Sequence, residues 1–163
     1  MICDFIYVIT NQILQEVLKP GAARNAVDCA LWDLEAKKEG KPVWQLLNLK
    51  EPKPTITAYT ISLSNPTKMM QDAKSKSDYP ILKIKLGGQD DEKCIKAVRA
   101  GSPNSRIIVD ANEGWNIESY NYLVPIFKSI GVELIEQPFP SNKDHLLKNL
   151  DRKIPICADE SCH

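Results

Sequence analysis

The apolar positions change their period near residue 50. Upstream, Ala23, Val27, Ala30, Leu31 and Leu34 recur at steps of three and four, which predicts a helix over 22–40. Lys37 and Lys38 fall in its last turn and Gly40 at the expected C-terminal cap. Pro42 stops the helix from resuming, and VWQLL (43–47) predicts one further short helical turn. Downstream, short β-type runs at 55–62, 81–87, 106–112, 133–139 and 154–161 alternate with amphipathic stretches at 66–76, 91–101, 117–131 and 142–150. Strand followed by helix, repeated, predicts βαβ units and a parallel sheet. The charged, proline-rich KEPKP (50–54) reads as a connector between a helical part, 1–50, and an α/β part, 51–163.

The α/β part repeats. Thr60, Lys85, Asp110, Glu136 and Asp159 fall near the C-terminal ends of successive predicted strands, 23–26 residues apart. A (β/α)8 barrel of ~250 residues has units of similar size and builds its active sites from those strand ends. A doubly wound sheet also alternates, but gives no reason for a polar residue at the end of every strand. The expected fold is therefore α/β, a partial (β/α)8 TIM barrel with about strands 1–5. Five strands cannot close an eight-stranded cylinder. The isolated chain is expected to be weakly stable, aggregation-prone, or dependent on a second copy or a complementing chain.

Composition narrows the function. The 163 residues are 43% hydrophobic and 26% charged, as in a soluble globular protein. Lysine plus arginine equals aspartate plus glutamate at 21 each, so no overall field points to nucleic acid or an anionic membrane. The apolar start MICDFIYVIT (1–10) lacks a basic leader region and contains Asp4, so it reads as a strand or helix remnant, not a signal peptide or membrane span. Cys3, Cys29, Cys94, Cys157 and Cys162 are scattered without a CxxC, and His145 and His163 add no zinc-type cluster. Ordinary thiols in a reducing compartment are expected, and with them the cytoplasm.

Three acids carry the chemistry. IIVDAN (107–112), LIEQPF (134–139) and ICADES (156–161) each end an apolar run with a carboxylate that should face the interior. One such acid is ordinarily a helix cap. Three on consecutive strands would converge, and clustered anions repel unless a cation joins them. A hard divalent ion with oxygen ligands, Mg2+ above all, resolves the conflict. Lys83 and Lys85, two apart in ILKIKLGG (81–88), point the same way on the preceding strand. Desolvation and a neighbouring ammonium would lower a lysine pKa and leave a base near neutral pH. Together these residues point to proton abstraction alpha to a carboxylate.

The order Lys-x-Lys, Asp-x-Asn, Glu-Gln-Pro, Asp-Glu-Ser resembles the enolase superfamily, muconate-lactonizing subgroup. ALWDLEAKKEGKPVWQLL (30–47) resembles the end of that family's α+β capping domain. YTISL (59–63), LKIKLGG (82–88) and DANEGW (110–115) are most similar to its dipeptide epimerases of the L-Ala-D/L-Glu type. The resemblance implies Lys85 as the acid/base and Lys83 beside it, contacting the substrate carboxylate. It implies Asp110, Glu136 and Asp159 as Mg2+ ligands, Thr60 as a substrate contact, and Asn112 and Glu160 as neighbours that orient the ligands. The implied partner is a small carboxylate, a dipeptide.

The family's epimerases also use a lysine on a sixth strand and an acidic motif on the eighth, and neither falls within these residues. The chain is therefore expected to be a middle piece of such an enzyme, with impaired epimerisation. A cycloisomerase or o-succinylbenzoate synthase of the same superfamily stays open, as does a lysine that forms a Schiff base. A non-catalytic relic is the remaining alternative.

Overall fold

The computed structural model describes residues 10–162. The N-terminal run read as a strand or helix remnant, with Cys3, lies outside the described residues apart from Thr10, and so does His163. The chain divides into two compact units at Pro54/Thr55.

In the first unit, α1 (Asn11–Val17) starts where Thr10 accepts the Ile13 N–H on its hydroxyl at 3.2 Å. No sequence signal had marked this helix. The predicted long helix forms as α2 (Ala22–Glu39) and stops at Gly40, whose φ of +63° is the left-handed cap that glycine adopts without strain. Asp28 of α2 accepts amide N–H groups of Asn11 and Gln15 of α1. α2 holds no buried residue, and Val27 and Leu34 of its apolar stripe are 38% and 48% exposed. The short turn predicted after Pro42 is α3 (Val43–Leu46).

The second unit is a parallel sheet in sequence order, β1 (Tyr59–Ile61), β2 (Ile81–Lys85), β3 (Arg106–Asp110), β4 (Val132–Glu136) and β5 (Ile156–Cys157). Its crossovers are α4 (Pro66–Ser75), α5 (Asp91–Gly101) and α6 (Ile117–Ile130). Asn65 and Asn116 cap α4 and α6 by accepting the N–H of Lys68 and Ser119. The alternation along β2 sorts its two faces. Leu82 and Ile84 are fully buried on the helix side with Ile95 and Val98 of α5, while Lys83 and Lys85 stand on the other face, half-buried. Ile107 and Val109 of β3 and Ile135 of β4 continue that core.

Three elements depart from expectation. The eight-residue strand read at 55–62 pairs only over Tyr59–Ile61, and the one at 154–161 only over Ile156–Cys157. Each is an outer strand with one partner, and a strand persists only where a ladder holds it. The helix read at 142–150 is a 3-10 segment, Ser141–Asn149, broken by non-helical dihedrals at Lys143. Among the described residues, no helix is long and apolar enough to cross a membrane.

Candidate functional site

The parallel register aligns the site. Lys85 pairs with Asp110 and Asp110 with Glu136, so three strand-terminal residues form one row across β2, β3 and β4. Residues paired in a parallel sheet project to the same side, and all three lie opposite the helix-covered core. Lys83, two residues back, shares that face and reaches up to the row. Its ammonium donates to Glu136 Oε1 at 2.6 Å and lies 3.0 Å from Asp110 Oδ2, which also accepts from Lys85 at 2.6 Å.

The two ammoniums are shared between carboxylates, and this changes the expected electrostatics. Burial lowers the Lys83 pKa, but the hydrogen bonds to Glu136 and Asp110 outweigh it and hold the group above its ordinary value. Lys83 is thus held as an ammonium by the two carboxylates that it bonds. Burial raises the Asp110 carboxyl, yet bonds from Lys85, Lys83 and the Asn112 N–H leave it below the usual aspartate value.

Asp159 joins from the loop after β5. Oxygen atoms of Asp110, Glu136 and Asp159 all lie within 4.8 Å of one another. The expectation of three interior anions needs correction: Asp110 is fully buried, Glu136 partly, and Asp159 is exposed, two residues beyond its short strand. An all-oxygen donor set of this span fits a hard cation, and the lysine ammoniums already show that positive charge is stabilised there.

The expected supporting residues are placed unevenly. Asn112 donates its backbone N–H to Asp110 Oδ1 at 3.0 Å and its amide to Glu160 Oε1 at 3.4 Å. Glu160 Oε2 is buried without a hydrogen-bond partner among the described residues. Thr60 pairs with Lys83 in the β1–β2 register but is exposed and makes no side-chain hydrogen bond to the cluster.

Two residues escaped the sequence reading. Asp91, 2% exposed, accepts the N–H groups of Gly87 and Gly88 and the indole N–H of Trp115 at 2.8 Å. It thus ties the loop after β2 to the loop after β3. That junction needs glycine: Gly87 has φ +116°, and a Cβ there would meet the Ala111 carbonyl at 2.7 Å. Gln137, equally buried, bonds the loops after β4 and β5 together. The GG pair after the lysines was the signal for the first, whereas the Glu-Gln-Pro pattern gave its glutamine no role of its own. Asn112, Glu113 and Gln137 all have positive φ, so left-handed backbone gathers on the loops that follow β3 and β4.

Comparison with known proteins follows the same lines. The family described as "Enolase C-terminal domain-like" matches residues 67–163, and "Mandelate racemase / muconate lactonizing enzyme, N-terminal domain" matches 4–48. The chain is 38% identical over 157 residues to the L-Ala-D/L-Glu epimerase of Escherichia coli (strain K12), covering 95% of this chain and 49% of that protein. It is 42% identical over 165 residues to the N-acetyl-D-glutamate racemase of a Pseudoalteromonas species, covering 100% and 52%. The chain spans about half the length of the curated relatives it matches. An enolase family member from Agrobacterium tumefaciens with homology to dipeptide epimerases, solved with sodium and L-Ala-L-Glu, superposes with a TM-score of 0.87 at 50% identity, covering 96% of this chain and 48% of the other. The dipeptide epimerase of Cytophaga hutchinsonii, complexed with Mg and D-Ala-L-Val, gives 0.81 at 30% identity, covering 93% and 44%.

Proposed function

This chain belongs to the enolase C-terminal domain-like family, and on that premise we propose that its strand-end cluster abstracts the proton alpha to a carboxylate with Mg2+ as cofactor. The observation that carries the reading is the row of Lys85, Asp110 and Glu136, with Lys83 bonded into it and Asp159 within carboxylate reach. Asp110, Glu136 and Asp159 would hold the ion. Bound Mg2+ supplies the positive charge that the substrate carboxylate, and the electron density left by the departing proton, both require.

The rest falls to the side chains. Lys85, in its neutral form, takes the alpha proton and as the ammonium returns it. Its bond to Asp110 fixes the position of the nitrogen. Lys83 neutralises the carboxylate pair and contacts the substrate carboxylate. Asn112 and Glu160 steady the acids from the loops, and Thr60 meets the substrate at the edge strand. These residues account for proton transfer on one face of the alpha carbon.

The substrate class follows from the chemistry that two relatives share by name. Alanyl-glutamate and N-acetylglutamate are both glutamates whose nitrogen is acylated. Acylation removes the charge and basicity of the amine and leaves the carboxylate as the ionised handle beside the reacting carbon. An N-acylated glutamate, the dipeptide first, is the substrate in this reading. The first unit, matched over 4–48, is read as part of the capping domain. The free thiols at Cys29, Cys94, Cys157 and Cys162 accord with a cytoplasmic setting.

Proton NMR in deuterium oxide tests the reaction. With Mg2+ and L-Ala-L-Glu, the glutamate alpha-proton signal is expected to fade as deuterium replaces it, and Lys85→Ala is expected to stop the exchange. A folded, Mg2+-bound protein that leaves the signal of both L-Ala-L-Glu and N-acetylglutamate intact would overturn the proposal.

A further inference from the structure

Strand β5 ends at Cys157, so no ladder holds Asp159 in place. What holds it is a side chain from the neighbouring loop. Gln137 Oε1 accepts the Asp159 N–H at 2.9 Å and the Ser161 N–H at 3.1 Å. Its amide nitrogen donates to the Phe139 carbonyl at 2.9 Å and the Ser161 hydroxyl at 2.8 Å. The two backbone N–H groups demand an acceptor and the carbonyl demands a donor, so the amide has one orientation. A fifth, longer bond runs from the same amide nitrogen to Asp144 Oδ1 at 3.5 Å, and all five are made at a residue only 2% exposed.

Gln137 also directly follows Glu136, and its own N–H donates to the Cys157 carbonyl at 2.9 Å. One residue therefore continues the β4 backbone from one carboxylate and grips the backbone of another. Its φ of +37° disfavours any residue but glycine, asparagine or aspartate. Asparagine would suit that backbone better but falls one methylene short of the β5 loop. The position trades backbone ease for side-chain reach.

We propose that Gln137 is a positioning residue that sets the distance between the Glu136 and Asp159 carboxylates and thereby the affinity of the cation site. This rests on the reading that Asp110, Glu136 and Asp159 hold a divalent cation. Loss of partners behind metal ligands typically weakens binding by roughly 10–100-fold, and a clamp on the exposed ligand falls in that class.

The test measures Mn2+ affinity by electron paramagnetic resonance and Mg2+ affinity by calorimetry on the whole chain, with circular dichroism as the fold control. Gln137→Met keeps the length and removes every side-chain hydrogen bond. Its dissociation constants are expected to rise roughly 10–100-fold. Gln137→Glu keeps acceptors for both N–H groups but loses the donor to the Phe139 carbonyl and Asp144, and is expected to recover part of that loss. Hydrogen exchange at Asp159 and Ser161 should accelerate in Gln137→Met and stay slow in Gln137→Glu. Should Gln137→Met not fold, Gln137→Asn serves in its place, since it fits the positive φ and lacks only reach. A folded Gln137→Met or Gln137→Asn that binds both cations as the wild type does would overturn the proposal alone. A folded wild type that binds neither cation overturns it together with the reading on which it rests.

Discussion

Lys85 and Asp110 stand opposite each other in the β2–β3 register, with the ammonium of one 2.6 Å from the carboxylate of the other. The Asp110 side chain has no exposed surface, whereas Lys85 keeps a third of its own. A reachable ammonium is thus mounted on a fixed anion. Because the same Asp110 oxygen also faces Lys83, this carboxylate organises both cationic groups of the site.

Replacing that anion is expected to be costly. Asp110→Asn leaves two ammoniums short of charge and keeps the volume, and partial exposure of the lysines softens the penalty. Urea denaturation should show a loss of roughly 1–3 kcal/mol, smaller than for a fully buried pair. Retained stability would mean that the ion pairs are solvent-screened.

Asp159 should behave in the opposite way. It is exposed, so Asp159→Ala is expected to change stability without metal by less than ~0.5 kcal/mol. Saturating Mg2+ should raise the stability of the wild type, by about 2.7 kcal/mol at a hundredfold excess over Kd. The variant should lose that increment, and thermal melts with and without EDTA measure both.

Asp91→Ala tests the bracket between the loops after β2 and β3. It strands the N–H groups of Gly87, Gly88 and Trp115, at an expected cost of about 3 kcal/mol. The indole fluorescence of Trp115 should shift to the red as water replaces the carboxylate.

Cys94 supplies a pH prediction. Burial, then the charges of Asp91 and Asp90, raise its thiol above the usual 9.0. A raised folded value means that the folded state holds this proton more tightly. The thiol's contribution is therefore intact below pH 9.0 and lost as pH climbs through the folded value. Maleimide labelling near neutral pH, read by peptide mass spectrometry, should mark Cys29, Cys157 and Cys162 and spare Cys94 until the protein is denatured.

Tyr120 has its ring in the core and its hydroxyl buried with no partner among the described residues. Tyr120→Phe removes the stranded group and keeps the ring. It is expected to stabilise the protein by about 1 kcal/mol in the same urea assay, because an unsatisfied buried hydroxyl carries that kind of penalty.

The helices and central strands were legible because their signals are local. Gly40 closes α2 where the sequence places its cap, and the alternation of ILKIK assigns two faces without reference to any neighbour. Outer strands were overestimated at both sides of the sheet. Propensity marks a stretch as able to pair, and β1 and β5 each have one neighbour to pair with.

The residue types at the strand ends point by themselves to a class of chemistry: two lysines, then an acid on each of the next three β/α units, suit a cation site and a proton transfer. Tertiary structure alone decided how that charge is arranged. It set Lys83 between two carboxylates, which hold its pKa above the ordinary value, because pairing across the sheet brings Glu136 within 2.6 Å across 53 residues of sequence. It also made Gln137 the support of Asp159, since a hydrogen bond between two loops leaves no period, motif or composition in the chain that makes it.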